Sequence, residues 1–193
     1  MRWLVSLLTL SILSISAANA KGILVEPIVG YNVNTTLNMK DSIYKKDYFG
    51  SGGAVGGRLG YQNFGFQLGV DFLRSSVAMS GSEFTKNVTI NEWAGFVGFE
   101  FPILLRVYAG YIMSAAGTSK FDQGTHGDGI KQIDLRGGTG GKIGVGLTPL
   151  PFLDLNVEYR SGQFNDYKIG DTTFDEKVKY SSYLLSVSVP LNL

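Results

Sequence analysis

From Lys21 onward the chain alternates apolar and polar residues with a period of two, in eight separate segments. A helix repeats near 3.6 residues, so this pattern selects strands and leaves no place for a long amphipathic helix. Val25, Pro27, Val29, Tyr31 and Val33 share one face of the first segment, and Leu24, Glu26, Ile28, Gly30 and Asn32 the other. In the second, Val55, Gly57, Leu59 and Tyr61 oppose Ala54, Gly56, Arg58 and Gly60. In the third, Phe64, Phe66, Leu68, Val70 and Phe72 oppose Gly65, Gln67, Gly69 and Asp71. The fourth sets Trp93, Gly95, Val97, Phe99 and Phe101 against Glu92, Ala94, Phe96, Gly98 and Glu100. In the fifth, Leu105, Val107, Ala109, Tyr111 and Met113 oppose Arg106, Tyr108, Gly110 and Ile112. The sixth sets Ile133, Leu135, Ile143, Val145 and Leu147 against Asp134, Arg136, Lys142, Gly144 and Gly146. Leu153, Leu155, Val157 and Tyr159 oppose Asp154, Asn156, Glu158 and Arg160 in the seventh. Leu185, Val187, Val189, Leu191 and Leu193 oppose Ser186, Ser188, Pro190 and Asn192 in the last. Each segment is about 9 to 15 residues long, enough for a tilted strand to cross a bilayer.

Alternation does not say which face is inside, and here composition decides. A soluble, lipocalin-type barrel would turn its apolar face inward and show water a surface dense in Lys and Glu. This polar face is mostly Gly, Ser and Asn with single charges of both signs, which suits a crowded, narrow lumen. The apolar face carries aromatics at strand ends, namely Tyr31, Tyr61, Phe64, Phe72, Trp93, Phe99, Phe101, Tyr111 and Tyr159, with aliphatics between them. That is the girdle-and-band pattern of a lipid-facing wall. Strands in a bilayer must close into a ring, because an unsatisfied backbone group there is costly. The expected fold is all-β: a closed eight-stranded antiparallel up-and-down transmembrane β-barrel.

Connection lengths give independent support. Short turns are expected around Gln62-Asn63, Phe101-Pro102-Ile103 and Thr148 to Pro151, and long polar loops over Thr35 to Ser51, Ser75 to Thr89, Ala115 to Gln132 and Gln163 to Lys179. Strict short-long alternation matches short periplasmic turns and longer external loops. Residues Met1 to Ala20 read as a signal peptide: Arg2 at the start, an apolar run over Leu4 to Ile15, and Ala18-Asn19-Ala20 as the cleavage site. The expected organisation is therefore a cleaved segment 1–20 and one barrel domain 21–193. Without Arg2, the seventeen Lys and Arg residues fall to sixteen, equal to the sixteen acidic ones. A near-neutral chain without a clustered basic face gives no reason to expect nucleic-acid binding. The absence of cysteine excludes disulfides, thiolate metal sites and a cysteine nucleophile.

On strand number, loop alternation, aromatic girdles and the alternating final segment Tyr183 to Leu193, the chain resembles the small eight-stranded outer-membrane barrels of Gram-negative bacteria. That is the group containing OmpX and the OmpA transmembrane domain. The resemblance implies export, residence in the outer membrane as a monomer, and handling by the outer-membrane assembly machinery. It also implies a bilayer and lipopolysaccharide as surroundings and an extracellular partner engaged through the loops. The family's final strand usually ends in an aromatic residue, whereas this one ends in Leu193 with Pro190 close by. Pro27 and Pro190 fall where the first and last strands meet. Proline cannot donate to a ladder, so a weakened or bulged seam is expected there.

In this fold Glu26, Arg58, Asp71, Glu100, Arg106, Lys142, Glu158 and Arg160 point into the lumen. A turn centred near Ile103 sets Glu100 opposite or diagonal to Arg106, and one centred near Leu150 sets Lys142 opposite Glu158. Buried charges persist when paired, so the set reads as a plug of salt bridges, with a gated polar path for small ions as the alternative. The lumen of eight strands is just wide enough for side chains to fill.

No catalytic constellation stands out. Some barrels of this group are lipid-A-modifying enzymes that use Ser and His. The one histidine here, His126, lies in a loop with Ser114, Ser119, Asp122 and Asp128 as conceivable partners but no adjacent His-x-Ser pattern. The glycines around it lack the fixed ligand spacing of a calcium loop. Gly137 to Lys142 lacks the spacing and the following helix of a phosphate loop. No cofactor and no metal is implied, and a non-enzymatic role is expected. The remaining surface is in the loops, where Lys40, Tyr44, Lys45, Lys46, Tyr48 and Phe49 could meet lipopolysaccharide phosphates or a host protein.

Overall fold

A computed structural model describes residues 21–38, 47–81, 84–120, 132–150 and 152–193. His126, Asp122, Asp128, Lys40, Tyr44, Lys45, Lys46 and the expected signal segment lie outside the described residues. The strands are β1 (Gly22–Asn38), β2 (Asp47–Asn63), β3 (Phe66–Gly81), β4 (Phe84–Glu100), β5 (Leu105–Lys120) and β6 (Gln132–Leu150). They continue with β7 (Leu153–Phe164), β8 (Asp166–Ile169), β9 (Thr172–Phe174), β10 (Val178–Ser188) and β11 (Leu191–Asn192). Neighbours run β5-β4-β3-β2-β1-β10-β7-β6, and β5 pairs with β6 to close the ring. The segments form eight staves. β8 prolongs β7 against β6 in the same register, β9 folds back on β8 toward β10, and β11 prolongs β10 along β1.

The register fixes the stagger of the ring. Ile23 pairs with Tyr61, Tyr61 with Leu68, Leu68 with Val97, and Val97 with Ala109. Ala109 pairs with Ile143, Ile143 with Tyr159, Tyr159 with Tyr183, and Tyr183 with Val33. One circuit thus returns to β1 ten residues beyond its start, from 23 to 33. Eight staves with a shear of ten must tilt steeply, and each stave climbs about one residue relative to the last.

The membrane wall follows the alternation. Tyr31, Tyr61, Phe64, Trp93, Phe101, Tyr111 and Tyr159 are exposed on the outer wall, and Phe72 and Phe99 are partly exposed beside them. Phe66, Phe99 and Phe101 stack edge-on at the turn end. Phe72 packs on Trp93 and Tyr159 on Tyr183 at the other belt. Phe64 and Phe72 are eight residues apart, which at the usual rise and tilt is roughly 20 Å of height. That is close to the roughly 25 Å apolar band of an outer-membrane barrel.

Several expectations need correction. The first turn lies at Phe64-Gly65, not Gln62-Asn63. Both residues have positive φ, 49° and 81°, the type I′ geometry that matches strand twist. Gly65 is required there, because a Cβ would sit 2.6 Å from the Glu100 carbonyl oxygen. Much of each expected long loop is strand: β1 runs to Asn38, β2 starts at Asp47, β3 reaches Gly81 and β4 begins at Phe84. The staves therefore continue past the upper aromatic belt into the polar sequence expected to form loops.

Beyond that belt the wall inverts. Outward residues become Asn34, Ser76, Asn87, Ser114 and Ser161, while Leu37, Val77, Met79, Val88, Leu135 and Phe164 fill the interior. On three staves a β-bulge turns the phase. Val33 and Asn34 both face outward, as do Met113 and Ser114, and Arg136 and Gly137. The register slips beside each pair. Asn34 (φ 52°) and Gly137 (φ 61°) take the left-handed conformation that these residue types tolerate. This is why Leu135 is buried and Ile133 packs against the inner core, instead of sharing the lipid face of Ile143.

At the seam, pairing of β1 with the last stave stops at Ile28–Ser188 and resumes at Val25–Leu191 without a change of register. Val189 N donates to the Pro27 carbonyl at 3.2 Å, but the reciprocal bond cannot form because Pro27 has no N–H. The ladder is interrupted there rather than bulged.

Candidate functional site

The lumen between the two belts is occupied by charge. Four cations, Arg58, Arg106, Lys142 and Arg160, face five carboxylates, Glu26, Asp71, Glu92, Asp154 and Glu158, and all nine are buried. Alternation delivers each of them inward from a different height on its stave. Arg106 on β5 donates to both oxygens of Glu26 on β1, at 2.9 and 2.7 Å, and also contacts Asp154 at 3.0 Å and Asn156 at 2.8 Å. The fifth and first staves are opposite walls of an eight-stave ring, so this side chain crosses the lumen.

Arg58 on β2 reaches Glu158 on β7 at 3.1 Å, Glu26 at 3.4 Å and Asp71 at 3.6 Å. Its guanidinium lies over the Tyr108 ring, 4.1 Å from the centroid. Lys142 on β6 pairs with Asp71 on β3 and lies 3.6 Å from Glu158. Arg160 on β7 pairs with Glu92 on β4 and with Glu158. The last stave contributes hydroxyls: Ser188 donates to Glu26 and Tyr180 to Glu92. Every stave therefore holds part of one network. Buried ion pairs survive desolvation only when geometry is good and remaining lone pairs are hydrogen-bonded, and this cluster supplies both.

Of the eight charges expected in the lumen, seven join this network and Glu100 stands apart. It is half-buried near the turn end and accepts from Gln62 Nε2 at 2.9 Å. Glu100 is opposite Arg106 in the ladder, yet Arg106 turns to Glu26. Lys142 is not opposite Glu158: it pairs in register with Arg160, and Glu158 with Gly144, because the β6–β7 turn is centred beyond Leu150. Glu92, Asp154, Tyr108, Asn156 and Ser188 belong to the network beside the charges expected from sequence. Parity had already placed Glu92 and Asp154 on the inner face, and that signal could have found them.

Glycines make the packing possible at two places. A Cβ at Gly144 would overlap the Tyr108 ring, and one at Gly110 would lie 2.7 Å from Lys142 Cε. Each carboxylate of the cluster is engaged by a cation. Among the described residues no group of acidic or histidine side chains is arranged to hold a metal ion.

The model of the outer membrane protein beta-barrel domain matches residues 5–189. The chain belongs to this outer membrane protein beta-barrel family. As a member of it, the chain resides in a bacterial outer membrane and contacts its lipid bilayer. Among solved structures, this beta-barrel protein is similar to Neisserial surface protein A, with 16% identity over 89% of this chain and 98% of that one, and a TM-score of 0.55. It is also similar to Ail of Yersinia pestis, solved in complex with the heparin analogue sucrose octasulfate, with 13% identity over 88% and 99% and a TM-score of 0.55. A third is the outer membrane protein OprG of Pseudomonas aeruginosa, with 11% identity over 91% and 99% and a TM-score of 0.50. At these identities the likeness is one of fold. No curated protein sequence matches the chain.

Proposed function

We propose that this barrel is a closed, non-enzymatic outer-membrane surface protein. It ties the membrane wall together internally and presents its extracellular extension and loops to an outside partner. One observation carries the reading: the Arg106–Glu26 pair spans opposite walls inside a network that touches every stave. A cluster of this kind fills an eight-strand lumen and leaves solutes no continuous polar route. The inverted, apolar-cored extension above the belt supports the second half, since it holds the loops clear of the lipid on a packed base. The protein acts as a monomer, with lipopolysaccharide as its outer-leaflet surroundings and the assembly machinery as its partner during biogenesis.

Planar-bilayer recording of the purified full-length protein tests this. The expected result is no stepwise conductance in wild type and its appearance in Arg106→Ala, where the cross-lumen pair is gone. Regular conductance steps in wild type, lost in Lys142→Ala, would replace the reading with a narrow ion channel. A change in the mass of lipid A that depends on His126 would replace it with an enzyme.

A further inference from the structure

The charges of the lumen do not balance. With Glu100 counted, six inward carboxylates face four cations, and the excess falls at the turn end. There Arg106 spends donors on Glu26 and Asn156 and meets Asp154 through Oδ2, at 3.0 Å. Oδ1 of Asp154 is buried without a hydrogen-bond partner among the described residues, and so is the hydroxyl of Thr148. The two residues are 2% and 3% exposed, so water does not supply those bonds freely. They are the inward residues next to the Leu147–Leu155 pair on its turn side, one on each strand of that hairpin. Thr148 N donates to the Leu104 carbonyl at 2.8 Å, which ties this corner to the start of β5. Glu100 enters from β4, opposite Arg106 in the ladder, and lies near enough to feel the charge of Asp154. Among the described residues its donors are the amides of Gln62 at 2.9 Å and Gln67 at 3.5 Å, both on Oε2. Glu100 is half-buried, so this corner opens toward the turns.

We propose that the turn-end mouth of the barrel, bordered by Glu100, Asp154 and Thr148, binds the protonated primary amine of a small diffusible molecule. A primary ammonium carries one positive charge and three N–H donors, and Glu100 Oε1, Asp154 Oδ1 and Thr148 Oγ1 are three acceptors in a place with excess negative charge. A calcium ion takes roughly six to eight oxygens, more than this corner offers. The short turns of such a barrel face the periplasm, so the amine arrives from that side. The site lies on the turn side of the Arg106–Glu26 pair, and the inference does not depend on whether the lumen conducts.

Nitrogen-15-labelled protein folded in detergent micelles is titrated at neutral pH with n-butylammonium, with tetramethylammonium and with calcium, and the backbone amide shifts are followed. Each variant is first checked for the unboiled gel shift of a closed barrel. Saturable shifts confined to the amides around Glu100, Thr148 and Asp154 are expected with butylammonium, and none with tetramethylammonium, which has the charge but no N–H. Glu100→Gln keeps the shape and the contact with Gln62 and should weaken binding roughly tenfold, the loss of one charge-assisted hydrogen bond. Thr148→Val should weaken it less, since a neutral acceptor is lost. Unchanged affinity in Glu100→Gln, or shifts spread over the whole barrel, would overturn the site. Tetramethylammonium matching butylammonium would reduce the effect to general charge attraction, and calcium shifting the same amides while butylammonium does not would overturn the amine as ligand.

Discussion

Arg106 holds Glu26 by two hydrogen bonds of 2.9 and 2.7 Å, although the two residues are 80 positions apart in the chain and stand on opposite walls. Their heights match only because of the stagger. Followed through Glu100, β3 and β2, the ladder register puts Arg106 below the start of β1, and followed through Gly146, Asn156 and Ser186 it puts Arg106 level with Gly30, so Glu26 lies between the two. On the first route, a climb of about one residue per stave over four staves raises Arg106 close to Glu26.

Removing one member of this pair should cost far more than removing both. Glu26→Ala leaves Arg106 only Asp154 and Arg58 only Glu158 and Asp71, removes the carboxylate the two cations share, and should destabilise the barrel by about 3–5 kcal/mol. Glu26→Leu combined with Arg106→Met should recover a large part of that. Urea unfolding from lipid vesicles, followed by the gel shift, gives both numbers. A double variant as unstable as the single one would show that the pair is not the coupled unit described.

Gly144 makes room for Tyr108, whose ring lies under Arg58. Gly144→Ala forces that ring to move and should cost about 1–3 kcal/mol, the usual range for overpacking. The same substitution in a Tyr108→Leu background should cost less, because the clash is gone. Equal costs in both backgrounds would contradict the packing argument.

The seam makes an opposite prediction, of a small net effect. Pro27→Ala supplies the missing N–H toward Val189, worth about 0.5–1.5 kcal/mol. It also frees the unfolded chain by about 0.4–1 kcal/mol. Global stability should therefore change little, while amides around Val189 to Leu191 exchange more slowly. Hydrogen exchange read by mass spectrometry separates the two, and unchanged exchange there would rule out a proline-weakened seam.

Phe164 is fully buried in the upper core and packs on Tyr180 with centroids 5.1 Å apart. Phe164→Ala should remove about 3–5 kcal/mol of local packing. The loss should fall mainly on the extension, which meets the charged network below through Tyr180 and its bond to Glu92. On whole cells, external protease should then cut the β8–β9 hairpin while the gel shift of the barrel persists. Loss of the shift would mean that extension and barrel unfold as one.

Much of this molecule is legible in its sequence. Period-two patterning is a local property of an extended backbone, so it reported the strands and which residues share a face. Small residues with scattered charges on one face, and belts of Tyr, Phe and Trp on the other, reported which face meets lipid. Where the pattern misled, a single extra residue was responsible. Asn34, Ser114 and Gly137 each sit in a bulge that reverses phase, and a parity count carried across Gly137 sent Leu135 to the wrong wall.

By itself the sequence determined the strand-based fold, the placement of charges inside, and the membrane as solvent. Each follows from residues close together in the chain. Only the tertiary structure decided which charge meets which. Hairpin arithmetic sees neighbours on adjacent staves, whereas Arg106–Glu26, Lys142–Asp71 and Arg160–Glu92 reach across the lumen. Those partners depend on ring closure and on a shear of ten, quantities that belong to the whole circuit and to no single hairpin.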